Sequence, residues 1–337
     1  MTPLRAGIVG CGWFGRVHLE RLSEISGVYV TALSDPFLEA AQVLARKAAA
    51  HQIDPAQGKV ATYARALEMF AHPKLDFVVI ASPNKHHVPQ ILAALAQGLH
   101  VLCEKPLTLI PEEVTQVDAA MKASGKRVAI AYQSRYRRNA RLLKAALDSG
   151  KWGKIVAVNI FGSEDWKTPN IGTWRHDPER CPGGYFGDAN GHQLDMLFWL
   201  TGLQPREVHA TMDTCGTRVP LMTWGQATLT EADNTQQTIP MVFNFVGIAR
   251  HWREEIAIQT ERADFLIRDT VALWTDGNKP FAPLTESDLE TASPLIDDTP
   301  DSAFVATLRG ANLIVSEPLS VNPVLNFTRM ALADAGF

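Results

Sequence analysis

Through the first 130 residues or so, short β-branched or aliphatic runs alternate with longer stretches whose apolar positions recur at helical spacing. That alternation is the mark of βαβ units around a parallel sheet. Ala6-Gly7-Ile8-Val9, Val28–Ser34, Phe77–Ala81, Leu99–Cys103 and Arg127–Tyr132 read as strands, and Val60-Ala61 adds a short one. Val17, Leu22 and Ile25 fall near helical spacing, as do Val88, Ile91, Leu92 and Leu95 before Gly98 closes their helix.

After Gly150 the texture changes to successive strand-like runs: Ile155–Phe161, Val208–Met212, Thr238–Val246, Ile256–Thr260, Phe265–Arg268 and Val271–Trp274. One helix, Gly184–Leu200, interrupts them and carries His192, Leu194, Leu197 and Leu200. The pattern predicts an α/β domain with a parallel sheet over residues 1–130, followed by an α+β domain over 131–337 with a mostly antiparallel sheet. Pro323–Ala333 reads as a C-terminal helix able to pack back on the first domain, and Pro280–Pro300 as a surface loop.

Composition narrows the functional classes. Of 337 residues, 46% are hydrophobic and 20% charged, which is ordinary globular usage. Lys plus Arg number 32 against 36 for Asp plus Glu, a formal charge of -4, so no global field draws the chain to nucleic acid or anionic lipid. Apolar runs are far shorter than the ~20 residues that cross a bilayer. The run that begins by Ala6 leads straight into glycines and does not read as a signal peptide. Cys11, Cys103, Cys181 and Cys215 form no C-x-x-C pair, which suits a reducing cytoplasm.

Gly10-Cys11-Gly12-Trp13-Phe14-Gly15 follows the first strand and opens a helix, the context that makes a G-x-G-x-x-G match informative. Gly10 permits the tight turn, Gly12 lets a diphosphate approach the backbone, and Gly15 lets helix and strand pack closely. Free amides at the helix N-terminus face the anion. Asp35 ends the second strand, where a carboxylate accepts from both ribose hydroxyls and repels a 2′-phosphate. NAD is therefore favoured, with NADP still admissible. Trp13 and Phe14 either wall the cofactor cleft or cap the domain core.

Glu104-Lys105-Pro106 follows the fourth strand, so Lys105 lies at a carboxyl end, where open α/β sheets place ligands. Ser82-Pro83-Asn84-Lys85-His86-His87 follows the third strand, Arg135-Tyr136 a later one, and Gly183-Gly184-Tyr185-Phe186-Gly187-Asp188-Ala189-Asn190-Gly191-His192 lies in the second half. In combination these motifs resemble the Gfo/Idh/MocA family of NAD(P)-dependent sugar and polyol oxidoreductases, over nearly the whole chain. Asn190 followed by Gly191, and Arg138 where Pro is common, depart from the family pattern.

The resemblance implies a Rossmann domain, a large open sheet whose outer face makes homodimers or homotetramers, and substrate held against the nicotinamide. It implies that Ser82, Asn84, His87, Glu104 and Lys105 border the cofactor along with the glycine turn. His192 would be the main acid/base, Asp188 its partner, and Lys105 a ligand of the substrate oxygen.

The residues have their own physical reading. At i and i+4 on one helix, Asp188 and His192 would share a face, and an Asp accepting from one imidazole nitrogen orients the ring and leaves the other as a base. A two-ligand metal site is the competing reading, but His176, Asp177 and Asp195 have no zinc spacing, so no metal is expected. Trp166, Trp174, Arg175, His176, Tyr185 and Phe186 cluster near the catalytic segment. Flat rings suit pyranose faces, and Arg and His donate to hydroxyls, so a carbohydrate or cyclic polyol leads. Arg135 belongs to the one basic run, which extends through Lys144 and reads as exposed charge.

The sequence thus predicts an NAD-dependent enzyme transferring hydride between nicotinamide and a secondary ring hydroxyl or ketone of a sugar, sugar derivative or inositol. The alternatives are a redox-neutral, NAD-retaining glycosidase or epimerase, and a non-catalytic NAD-sensing regulator. The presence together of Lys105, Asp188 and His192 argues against the regulator.

Overall fold

The computed structural model describes residues 3–289 apart from 52–53, 55–57, 109, 182 and 233, together with 330 and 334. The chain divides into two compact units, one containing Met1–Ala131 and the other Tyr132–Asp298.

The first unit runs β1 (Leu4–Val9), α1 (Trp13–Glu24), β2 (Val28–Ser34), α2 (Leu38–His51), β3 (Ala61–Tyr63), α3 (Ala66–Phe70), β4 (Phe77–Ile80), α4 (His87–Ala96), β5 (His100–Cys103), α5 (Pro111–Ser124) and β6 (Val128–Ile130). Its six strands lie in the order β3-β2-β1-β4-β5-β6, and each described pairing is parallel. Phe77, Val78, Val79 and Ile80 of β4 are all buried, the unbroken apolar run of a central strand covered on both faces. Ala6 and Ile8 pack with Leu19 and Leu22 of α1 and Val30 and Leu33 of β2 in the core.

Strand order reverses between β1 and β4. Their carboxyl ends carry the glycine turn and the Ser82 loop, and such a switch point is where a doubly wound sheet opens a crevice for ligand. Gly10 shows how closely the two ends approach. Its φ is +87°, and a Cβ there would lie 2.5 Å from the Ala81 carbonyl oxygen.

The second unit runs α6 (Arg138–Asp148), β7 (Ile155–Asp165), α7 (Lys167–Asn170), α8 (Gly184–Asp188), α9 (Gly191–Thr201), β8 (Gln204–Asp213), β9 (Met222–Thr230), β10 (Ile239–Val246), β11 (Ile248–Thr260), β12 (Asp264–Arg268), β13 (Val271–Thr275) and β14 (Ala282–Pro283). Its eight strands lie in the order β14-β13-β12-β11-β7-β10-β9-β8, antiparallel except for β7 against β10. In β10, Ile239, Met241, Phe243 and Phe245 point into the core while Pro240, Val242 and Asn244 face outward, the alternation of a sheet covered on one side. Helices α6 and α9 supply the cover through Leu142, Leu143, Leu194 and Leu197.

The sequence pattern missed β9 and the first half of β11. Gly225 in β9 has a role in close strand approach, since a Cβ there would lie 2.0 Å from the His209 carbonyl oxygen. Ile248 to Arg253 of β11 is largely exposed and charged, with a register shift inside it, so no apolar alternation advertises the strand. The predicted single helix Gly184–Leu200 is instead two, α8 and α9. Within the predicted loop Pro280–Pro300, residues to 289 hold β14 and a short 3₁₀ turn at Glu286–Asp288. The rest of that loop, and all of Pro323–Ala333 but Met330, lie outside the described residues.

Candidate active site

The first unit supplies a cradle for a dinucleotide. Helix α1 starts after Gly12 with no side-chain cap and no acidic residue in its first turn, so its first amides remain available to an anion. A Cβ on Gly12 would meet nothing within 4 Å, whereas one on Gly15 would lie 1.9 Å from the Gly10 carbonyl oxygen. Gly12 thus faces open space and Gly15 packs helix on strand. These residues fit the diphosphate of a dinucleotide.

Asp35 follows β2 and braces this turn. Its Oδ2 accepts from the Cys11 amide at 2.9 Å and its Oδ1 from the Phe37 amide at 2.9 Å. Burial, then the charge of Asp35, pushes the Cys11 thiol up to about 12, so this cysteine is a protonated neighbour rather than a nucleophile. Trp13 and Phe14 do not cap the core. They are 68% and 38% exposed. Trp13 lines a cavity of about 530 Å³ with Cys11, Arg16, Phe37 and Lys47, and the Arg16 guanidinium lies 4.5 Å from the Trp13 ring centroid.

Two buried histidines flank the Glu104-Lys105-Pro106 loop. His18 Nε2 of α1 lies 3.0 Å from Glu104 Oε1, and Glu104 Oε2 accepts from the Lys105 amide at 3.2 Å. His87, the first residue of α4, places Nδ1 2.8 Å from the Pro106 carbonyl oxygen and Nε2 2.8 Å from that of Ser82. The side chains of His87 and Glu104, expected to border the cofactor, are both buried and face protein groups. Ser82 and Asn84 are half-buried on the loop after β4, with Ser82 Oγ donating to Gln90 Oε1 at 2.6 Å. His18 was missed by sequence reasoning, although it falls on the buried face of α1 with Gly15, Leu19 and Leu22, a polar residue on an apolar stripe.

In the second unit, the chain between α8 and α9 departs from α-helical bonding. The His192 amide reaches the Ala189 carbonyl at 3.5 Å, and the Gln193 amide that of Asn190 at 3.1 Å. Asp188 and His192 therefore do not occupy consecutive turns of one regular helix, and the i, i+4 argument for their pairing is corrected. The Asp188 carboxylate, 4% exposed, accepts from Arg175 Nε at 2.9 Å. His192 Nε2 lies 3.3 Å from Gln133 Nε2, and its ring stands edge-on to Tyr132 at 6.0 Å between centroids. Since an amide nitrogen only donates, Nε2 is the accepting nitrogen of this contact.

The candidate substrate residues separate. Arg135 forks onto the fully buried Asp195, Nε to Oδ2 at 2.7 Å and Nη2 to Oδ1 at 2.5 Å, a structural commitment. Trp166 and Tyr185 are core residues, Trp166 stacked on His176 at 5.5 Å, and burial raises the Tyr185 hydroxyl strongly. Burial corrects the expectation that Trp166 and Tyr185 meet substrate, while Arg135 is half-buried. Trp174 and Arg175 remain half-exposed, with the guanidinium 4.4 Å from the indole centroid. The basic run pairs with carboxylates at the surface: Arg137 faces Glu254, Arg138 faces Glu286 and Lys144 faces Asp148.

Among the described residues no group of three metal-ligating side chains could hold an ion, and no helix is long and apolar enough to cross a membrane.

Comparison with known proteins fixes the family. Residues 4–132 match the oxidoreductase family with an NAD-binding Rossmann fold, and residues 140–261 match the GFO/IDH/MocA C-terminal domain. The chain belongs to the Gfo/Idh/MocA oxidoreductases. It is 30% identical over 205 residues to the rhizopine catabolism protein MocA of Rhizobium meliloti, covering 61% of this chain and 59% of that protein. It is 28% identical over 207 residues to myo-inositol 2-dehydrogenase of Thermotoga maritima, covering 61% and 58%. In both cases the match spans less than two thirds of the relative's length. An inositol dehydrogenase homologue from Azotobacter vinelandii, solved with NAD+, shares the fold with a TM-score of 0.83 at 18% identity over 99% of this chain and 96% of that one.

Proposed function

We propose that this Gfo/Idh/MocA protein is an NAD-dependent dehydrogenase that oxidises a secondary ring hydroxyl of a sugar, sugar derivative or inositol. The observation that carries this reading is the uncapped, glycine-lined start of α1 at the switch point, beside Asp35, in a family whose relatives include inositol dehydrogenases. The chemistry NAD supplies when bound is acceptance of a hydride from the carbinol carbon.

The chain's own residues do the rest. His192 takes the hydroxyl proton as general base, and the Lys105 ammonium stabilises the negative charge that develops on the oxygen. Trp174 and Arg175 offer an aromatic face and a donor to a hydroxylated ring. Asp35 braces the glycine turn and disfavours a 2′-phosphate, giving preference for NAD.

We further propose that the protein works in the cytoplasm, where its four free cysteines stay reduced, and as a homodimer or homotetramer through the outer face of the large sheet. Val156, Trp224 and Val242 expose apolar surface on its strands.

The test is absorbance of reduced nicotinamide with a panel of inositols, pyranoses and anhydrosugars. Steady NADH production with at least one of them supports the dehydrogenase. Glycoside turnover without NADH, or cofactor binding with no turnover of any sugar, would overturn it.

A further inference from the structure

His87 is fully buried, yet both its ring nitrogens lie 2.8 Å from carbonyl oxygens, those of Pro106 and Ser82. A carbonyl only accepts. A neutral imidazole has one N–H, so one of the two approaches would set a ring lone pair against an oxygen lone pair at hydrogen-bond distance. Only the imidazolium, with two N–H groups, satisfies both.

The charged groups facing the ring are Glu104 and Lys105, both on the loop after β5. Glu104 is itself buried against His18 of α1. Burial, more than anything else, and then Lys105 hold the pKa of His87 below the ordinary histidine value on balance, although the two carbonyls and Glu104 act in the opposite direction. The paired 2.8 Å contacts decide between these tendencies, because no neutral tautomer can make both.

We propose that His87 is a positioning residue of the reaction: a buried imidazolium that ties the Ser82 loop to the Pro106 carbonyl and thereby fixes the backbone that carries Lys105. Deprotonation breaks one of the two ties and releases the lysine loop. The proposal rests on Lys105 acting at the substrate oxygen. It adds that the placement of Lys105 depends on the charge state of a histidine whose ring is buried between two backbone carbonyls.

The direct test is long-range ¹H–¹⁵N NMR of the ¹⁵N-histidine-labelled full chain at pH 7 without ligand, with His87→Asn identifying the resonances. Two protonated ring nitrogens are expected. One bare nitrogen would overturn the proposal, whatever Lys105 does.

In turnover, kcat should fall as pH rises through the His87 titration seen by NMR. His87→Asn and His87→Gln, which donate from one nitrogen only and present an accepting oxygen to the second carbonyl, should lower kcat about tenfold through a misplaced lysine and lose that alkaline limb. Parental kcat and an unchanged pH profile in a folded variant would also overturn it. Parental turnover by Lys105→Ala alongside two protonated nitrogens would instead remove the lysine's role and leave the imidazolium in place.

Discussion

Arg175 Nε donates to Asp188 Oδ2 at 2.9 Å, joining a 3₁₀ turn at Trp174–His176 to the last residue of α8. Asp188 is 4% exposed, so its charge is compensated inside the protein rather than by water. Removing Arg175 takes a charged donor away from a buried carboxylate. Arg175→Met should therefore cost about 1.5–3 kcal/mol of stability, the contribution of a hydrogen bond to a charged group. Asp188→Asn, which keeps an acceptor for the guanidinium, should cost less. Denaturant midpoints decide the matter, and an Arg175→Met variant as stable as the parent would show that the pair does not hold this segment.

His192→Ala should lower kcat by about 10²–10⁴, the usual contribution of a general base, with little change in NAD affinity. Reduced-nicotinamide absorbance gives the first quantity and titration of intrinsic fluorescence with NAD the second. A variant with near-parental kcat would remove His192 from proton transfer.

Gly10 and Gly12 should respond differently to substitution. Gly10→Ala sets a Cβ 2.5 Å from the Ala81 carbonyl oxygen at a φ of +87°, and should impair folding. Gly12→Val meets nothing in the protein and should fold normally, yet bind NAD at least about tenfold more weakly because the side chain fills the diphosphate cradle. Thermal melting with and without NAD separates the two outcomes. A Gly12→Val protein with parental NAD affinity would show that the cradle is not where the diphosphate lies.

Asp35 should make kcat/KM for NAD exceed that for NADP by about tenfold or more, since a 2′-phosphate would meet its carboxylate. Comparable values for the two cofactors would contradict this. Because Asp35 Oδ2 also holds the Cys11 amide of the glycine turn, Asp35→Ser should weaken binding of NAD itself as well as narrow the preference.

The Cys11 thiol, pushed up to about 12 by burial and by Asp35, should be almost wholly protonated at pH 8. Thiolate is the reactive form, and its fraction rises tenfold with each pH unit below the pKa. Iodoacetamide should therefore leave Cys11 of the folded protein unmodified at pH 8 and begin to label it only near pH 10 to 11, as followed by mass spectrometry. Rapid labelling of Cys11 at pH 8 would mean that the thiol is accessible and ionised.

Much of the fold was legible because it follows from local periodicity. The β-branched runs of the first unit, short and alternating with helical stretches, read as covered parallel strands, and a glycine turn after the first strand, with an acid after the second, places a diphosphate and a ribose without reference to any distant residue. Pairing of side chains across the chain was not legible. Sequence spacing placed Asp188 with His192, whereas the backbone departs from helical bonding at Ala189 and Asn190 and the Asp188 carboxylate takes a donor from Arg175, thirteen positions earlier. Likewise Arg135, read as a substrate contact, turned out to neutralise Asp195, sixty positions away.

The sequence by itself determined the two kinds of sheet and the cofactor turn, because hydrophobic period and glycine chemistry act over a few neighbouring residues. Only the tertiary structure decided what His18, His87, Arg135 and Arg175 do. Each is a buried or half-buried polar group, and desolvation obliges it to find a partner wherever the fold supplies one, at a separation no local pattern records.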